Sequence, residues 1–567
     1  MASNRVDEPV AEPPTGAPSS PLSPSCTTSR APRHLPAPEP TVPQPAERTM
    51  SPPAEPTMSR PAEPDPRRWR VLPAILVATF MSLFDVFVVN VAAPSIGGDL
   101  HASDAGLELI VAGYSFTYAA GLITGGRLGD RSGRKRMFLI GMGVFTAASA
   151  LCGVAPTETT LIVGRLLQGV GAAAMVPQAL AIINVIFPPS ERPRAFAFFG
   201  VTIGLGAVSG QVVGGLLVDA DLFGLAWRPI FLVNVPIGIV AMAVVWRGLA
   251  ESKAARPEPL DLVGLSGLAA GLGLLLVPLT LGRDEGWPLW TWLALAASVV
   301  VLAAFGRWEV RLARTGGHPI VPPAVLRTRR TIAGLLVSFG FFVFLGSFLL
   351  AVTIFLQEGQ HRSPLEAGLV FGPLGVAFAI SSMAARGLVA RYGPRLLTVG
   401  SLISTAGLIG MLVLVVTEGT GVPTAQLMPP LLAVGTGNVL VIPALVAAVL
   451  AGASADVSGA VSGLLTTTQQ ASSALGVAGV GSVFFAAADR GGMADAMIAA
   501  LVFDLVAILI AGAGTLLLPR GAATPALATS GSVGTVEPAP RGGSAGPLGG
   551  IAVPGQAVGG ADLPARL

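Results

Sequence analysis

From residue 71 to residue 518 the chain alternates long apolar runs with short charged segments, and that alternation leaves few folds open. A helix that crosses a membrane needs about 20 predominantly apolar residues. Such runs fall near 71–93, 106–126, 137–155, 160–186, 196–218, 230–249, 262–281, 290–308, 332–356, 366–389, 395–416, 427–450, 460–487 and 495–518. They predict an all-α polytopic membrane protein of fourteen spans, with both termini on the cytoplasmic side. With 52% hydrophobic and 12% charged residues, and a mean hydropathy of +0.70, the chain is far more apolar than an ordinary globular domain.

The charges test this topology. Predicted inner segments hold the cluster from Arg127 to Arg136, then Arg192 and Arg194, Lys253 and Arg256, the run from Arg311 to Arg330, and Arg391 with Arg395. Predicted outer loops hold mostly acids: Asp99, Asp104, Glu158, Asp219, Asp221, Asp284 and Glu285. This is the positive-inside pattern of a multi-pass plasma-membrane protein, although the inner loop around Asp456 has no cation. The formal charge of +3 therefore reports orientation rather than a nucleic-acid partner, and no basic patch with interleaved aromatics appears. All seven tryptophans (Trp69, Trp227, Trp246, Trp287, Trp290, Trp292 and Trp308) fall at predicted span ends, where interfacial anchors belong.

Cys26 and Cys152 form no disulfide framework or metal pattern. His34, His101, His318 and His361 fall in a tail or in predicted loops, so a buried proton carrier must be a carboxylate. No nucleophile elbow, Walker loop or zincin motif is present, which argues against an enzyme and predicts no cofactor and no metal.

Residues 1–66, rich in Pro, Ala, Glu and Ser, read as a disordered cytoplasmic tail. An eight-residue unit recurs there, at Pro45 to Ser51 and again from Pro53 to Ser59. The tail has no apolar core of a signal peptide. A translation start at Met50 or Met58 is one expectation, which an intact mass of the native protein carrying the full tail would exclude. Residues 519–567 read as a second disordered tail. Leu388, Arg391, Gly393 and Arg395 repeat the spacing of Leu128, Arg131, Gly133 and Lys135, with Ala390 in the place of Asp130. The repeat predicts two related six-helix halves, 67–250 and 311–518, with two inserted helices in 251–310.

The loop Gly126 to Arg136 sets one acid among five cations in a tight reversal, and on physics alone it is a topology anchor. Its Gly126, Asp130, Arg131, Gly133 and Arg134 also resemble the signature loop between the second and third helices of the major facilitator superfamily. That resemblance implies that Asp130 meets a neighbouring helix end and latches one conformation. In the first span, Asp85 is costly enough in hydrocarbon, about 2.5–3.5 kcal/mol, to be a functional candidate. A structural hydrogen bond is the alternative. In the fourth span Arg165, Gln168, Gly169, Gly171, Ala172 and Ala173 resemble the superfamily motif whose arginine takes part in proton coupling; the other reading is that Arg165 snorkels to the outer surface.

Gly206, Gly210 and Gly214, with Gly215 beside them, form a smooth stripe for helix packing. They also resemble the motif that marks exporters, with Gln211 in the place of its usual proline. Trp227, Arg228, Ile230, Phe231, Asn234, Pro236 and Gly238, then Asn90, Pro94, Asp99 and Leu100, then Gly459, Gly463, Gln470 and Gly476, are similar to fourteen-helix drug:proton antiporters. The resemblance covers roughly residues 70–518. Phe87 and Leu109 depart from that family's usual Thr and Trp, so its substrate range is not carried over. Asp504 is a second buried acid, read as a coupling site or as a polar contact; the resemblance implies a peripheral last span, which favours the contact. Asn90, Tyr114, Gln168, Gln178, Asn184, Gln357, Asn438 and Gln470 are either cavity-facing groups or interhelical hydrogen bonds.

These readings predict a monomeric carrier that exports an amphipathic small molecule in exchange for protons. A narrow exporter of one metabolite, antibiotic or siderophore is the alternative. A non-transporting membrane sensor is a third class, for which no folded signalling domain is visible.

Overall fold

The computed structural model describes residues 67–254, 258–321, 323, 325–373, 387–388, 391–450 and 455–518. Both tails, and with them the repeated unit and Met50 and Met58, lie outside the described residues, as do Arg256 and Ala390.

The chain is helical, and among the described residues there is no strand. In order the helices are α1 (Arg68–Leu100), α2 (Asp104–Ser132), α3 (Arg134–Gly153), α4 (Glu158–Ile186), α5 (Arg192–Asp219), α6 (Pro229–Gly248), α7 (Leu262–Asp284), α8 (Leu289–Arg314), α9 (Arg329–Gly359), α10 (Pro364–Val370), α11 (Arg395–Glu418), α12 (Thr424–Leu450), α13 (Ala455–Gly491) and α14 (Met493–Leu516). Among the described residues, 13 are long and apolar enough to cross a membrane. The expected span 366–389 starts in α10 and runs into residues that are not described.

The helices overrun the apolar runs because polar caps lie beyond the hydrocarbon. Ser103 accepts from Gly106 N at 2.9 Å to start α2, and Thr157 accepts from Thr160 N at 3.3 Å to start α4. Gly133, at φ 116°, turns the chain between α2 and α3, and Gly393, at φ 53°, stands at the repeat of that loop.

α2 and α3 pack on α4, and α1 packs on α5 and α6. Further along, α9 packs on α13 and α14, and α11 on α12 and α14. The most extensive contacts between these groups are α2 against α13 and α5 against α10, and α1 also touches α9 and α10. α7 wedges against both α2 and α13, and α8 leans on α7. The inserted helices are the most exposed: 22% of the apolar window of α7 and 11% of that of α8 is buried, against 67% for α1. Their apolar outer faces therefore need lipid. The last span is not peripheral, because α14 touches α9, α11 and α13.

Trp227 corrects the reading of tryptophans as interfacial anchors. It is wholly buried, and its indole Nε1 donates to Asp99 at 3.0 Å. An indole N–H is satisfied as well by a carboxylate at the end of a neighbouring helix as by headgroups. Trp246, 72% exposed, keeps the anchor position.

Candidate functional site

Asp85 stands near the middle of α1 and is fully buried. Its three neighbours come from two other helices. Arg165 of α4 pairs with Asp85 Oδ2. Gln168, one turn on, donates from Nε2 to Asp85 Oδ1 at 2.9 Å, and Asn234 of α6 approaches the same oxygen at 3.5 Å. Helical spacing explains part of this, because positions three apart share a face.

Arg165 has more partners than the carboxylate. Its Nε donates to the Ile110 carbonyl at 2.8 Å, and its NH1 donates to Gln168 Oε1 at 2.9 Å. The guanidinium lies 4.8 Å from the Tyr114 ring centroid and 5.9 Å from that of Phe231. It is 1% exposed, so it does not snorkel to a surface. Tyr114 in turn shares a hydroxyl contact with Ser82, and Gln168 donates to Ser149 at 2.9 Å.

This geometry supports two charge states. With Asp85 ionised, the site is a hydrogen-bonded ion pair. With a proton on Asp85, the cation keeps a carbonyl, an amide oxygen and two aromatic faces, so it is not stranded in hydrocarbon.

The glycine stripe seats α1 beside this site. A Cβ at Gly210 would lie 2.6 Å from Phe87 Cβ and 2.8 Å from the Phe84 carbonyl, and one at Gly214 would lie 2.5 Å from Val88 Cγ2. Gly206 faces Leu83 and Phe80 in the same way. Gly215 faces the other way, 2.5 Å from the Pro364 carbonyl of α10. The stripe is thus a double packing surface, with α1 on one side and α10 on the other. Gln211 is buried within it, and neither side-chain amide atom has a hydrogen-bond partner among the described residues.

The remaining candidates scatter. Asp130 binds Arg134, four residues along its own loop, at 2.7 Å. The acid that reaches across that loop is Glu251, which takes the backbone N–H groups of Lys135 and Arg136 at 3.0 and 3.1 Å. Gly126 and Arg131 lie within α2, whose end is closed by Gly133. Asn90 donates to the Val86 carbonyl of its own helix at 2.8 Å. Gln357 of α9 donates to the Val91 carbonyl of α1 at 2.7 Å, and Gln470 is half-buried on α13. Gln178 donates across to Gly125 at 2.9 Å, Asn184 bonds within α4, and Asn438 accepts from Ser404 at 3.2 Å. Asp504 is fully buried and contacts Ser347 of α9.

Sequence reasoning missed Glu108, which is 2% exposed on α2. Its Oε2 has no partner among the described residues, and Gly481 of α13 leaves room for it, since a Cβ there would lie on its carboxylate. Above it Arg283 of α7 holds Asp104 of α2 at 2.7 Å and pairs with Asp489 of α13. One cation thus ties three helices at the end opposite the Arg127–Arg136 loop. An acid two residues inside an expected span boundary was the available signal.

The Major Facilitator Superfamily model matches residues 75–477. A probable actinorhodin transporter of Streptomyces coelicolor is 39% identical over 420 residues, 74% of this chain and 73% of that protein. The puromycin resistance protein pur8 of Streptomyces alboniger is 34% identical, over 80% of this chain and 90% of its own. The tetracenomycin C resistance and export protein of Streptomyces glaucescens is 33% identical, over 73% and 76%. Among solved structures, a bacterial homolog of the human lysosomal transporter Spinster, inward-facing and occupied, aligns with a TM-score of 0.57 at 18% identity, covering 80% of this chain and 97% of that one. At that identity the likeness speaks for the fold alone. On the family match and these relatives, the chain belongs to the major facilitator superfamily.

Proposed function

We propose that the chain is a proton-coupled secondary exporter, in which protons enter as an amphipathic small molecule, such as an antibiotic or a cationic drug, leaves across the plasma membrane. The observation that carries this reading is Asp85, buried in mid-helix against Arg165 and Gln168 in a pocket that tolerates either charge state. Asp85 is the proton carrier and Arg165 its electrostatic modulator. The loop of Gly126, Asp130, Arg131, Gly133 and Arg134 gates the cytoplasmic side, where both termini lie. The segments 67–250 and 311–518 act as the two rocking halves of a monomer, and the relatives named for antibiotic export and resistance support the direction of transport.

A narrower reading, export of one antibiotic or metabolite, draws on the relatives named for actinorhodin and tetracenomycin C. One experiment tests both. Efflux of cationic and neutral dyes from an efflux-deficient bacterial host is compared for wild type, Asp85→Asn and wild type with an uncoupler, with membrane levels matched. Proton-coupled drug export predicts efflux that both treatments abolish. Efflux indifferent to the uncoupler overturns the coupling, and no movement of any dye leaves the narrow reading.

A further inference from the structure

At the end of the bundle that carries the Arg127–Arg136 loop, two adjoining cavities open between α1 and α6. The common end is set by Lys135, whose Nζ donates to the Trp246 and Leu249 carbonyls at 2.7 and 2.6 Å. One cavity, about 390 Å³, is headed by Arg67, Arg70 and Arg247. The next, about 460 Å³, shares Arg70, Val240 and Val244 with it and runs on between Val77 and Pro236. Together they form one groove with a basic head and an apolar body.

Three features define its occupant. The first is charge: Arg70 and Arg247 line the groove, and among the described residues no carboxylate does. The acids nearby are engaged elsewhere, Glu191 by Arg68 at 2.8 Å and Glu251 by the Lys135 and Arg136 backbone. Among the described residues, no carboxylate pairs with Arg70 or Arg247. The second is length. From Gly248 to Pro236 the wall extends about 18 Å at 1.5 Å per residue, and one leaflet of hydrocarbon is about 15 Å deep. The third is setting: Val240 is 62% and Val244 39% exposed, so the groove opens toward lipid.

We propose that this groove is a binding site for one anionic phospholipid, whose phosphodiester sits on Arg70 and Arg247 while an acyl chain lies along Val77, Pro236 and Val240. Guanidinium groups match phosphate oxygens in geometry and charge, and basic pockets between helices collect such headgroups. The site binds α1, the helix that carries Asp85, to α6, which carries Asn234. It does not rest on the transport reading.

The test is native mass spectrometry of the delipidated full-length chain, titrated with phosphatidylglycerol, with phosphatidylcholine of the same acyl chains, and with inorganic phosphate. Wild type is expected to retain one phosphatidylglycerol in preference to phosphatidylcholine. Arg70→Gln with Arg247→Gln should weaken that lipid about thirtyfold, at about tenfold per 1.4 kcal/mol and about 1 kcal/mol per cation. Val240→Trp, which fills the groove and leaves the arginines in place, should also lose it. Equal retention of the two lipids, an unchanged double variant, or displacement of the lipid by millimolar phosphate overturns the proposal.

Discussion

Asp85 and Asp504 are both fully buried in membrane-crossing helices, yet their surroundings are opposite. Asp85 faces a cation and two amides from two other helices. Asp504 faces one hydroxyl, and its Oδ2 has no partner among the described residues. Ser347 has a single proton to share between the Phe344 carbonyl, at 2.9 Å, and Asp504 Oδ1. Burial alone does not make an acid exchangeable. What separates the two is a neighbouring charge that stabilises the ionised form without requiring it.

The largest effect should come from removing that neighbour. Arg165→Ala leaves Asp85 as an uncompensated charge, at a cost of about 3–5 kcal/mol in stability. Asp85→Leu combined with Arg165→Met should recover the loss without restoring transport, as read by thermal unfolding in detergent and by efflux. A double variant as unstable as the single one would show that the pair shapes the fold rather than serving exchange.

Glycine contacts sharpen the comparison at intermediate size. Gly210→Ala presses on the turn of α1 that carries Asp85, and Gly340→Ala presses on α14 beside Asp504, 2.6 Å from the Ala507 carbonyl. Each should cost about 1–3 kcal/mol by overpacking. Transport per folded molecule should fall only for Gly210→Ala; equal losses would erase the distinction between the two acids.

Ser347→Ala comes next, at about 1 kcal/mol, because it removes the partner of a buried acid. Asp504→Leu should be neutral or stabilising and leave proton-driven efflux intact. Loss of efflux in a well-folded Asp504→Leu protein would make Asp504 a second coupling site.

The smallest effect lies outside the hydrocarbon. Glu191, between α4 and α5, is held below the ordinary carboxylate range by its hydrogen bonds and charge contact with Arg68. A lowered folded value means that its contribution is present above the ordinary carboxylate range and is lost as pH falls through the lowered one. Glu191→Gln should flatten the acid limb of a melting-temperature profile slightly, without moving the pH dependence of transport.

The spans were legible because hydrocarbon enforces length: about 20 apolar residues cannot be hidden in a sequence. Asp85 and Arg165 each stood out for the same reason. Their pairing did not, since 80 positions separate them and no local spacing encodes it. Glu108 was missed because an acid near a span end looks like a solvated boundary, and Trp227 was misread because an indole there looks like an anchor. Both errors arise where a neighbouring helix closes over a position that an isolated helix would leave open, α13 over Glu108 and α1 beside Trp227.

Arg283 gives the inserted pair a mechanical meaning. Its partners Asp104 and Asp489 keep 42% and 70% of their side-chain surface exposed, so dissolved ions screen the clasp over about 8–10 Å. In a rocking carrier, parting α2 from α13 at that end would then become easier as ionic strength rises. Cycle frequency would respond to the saltiness of the medium, a response that Arg283→Gln should remove, and the inserted helix α7 would act as its governor.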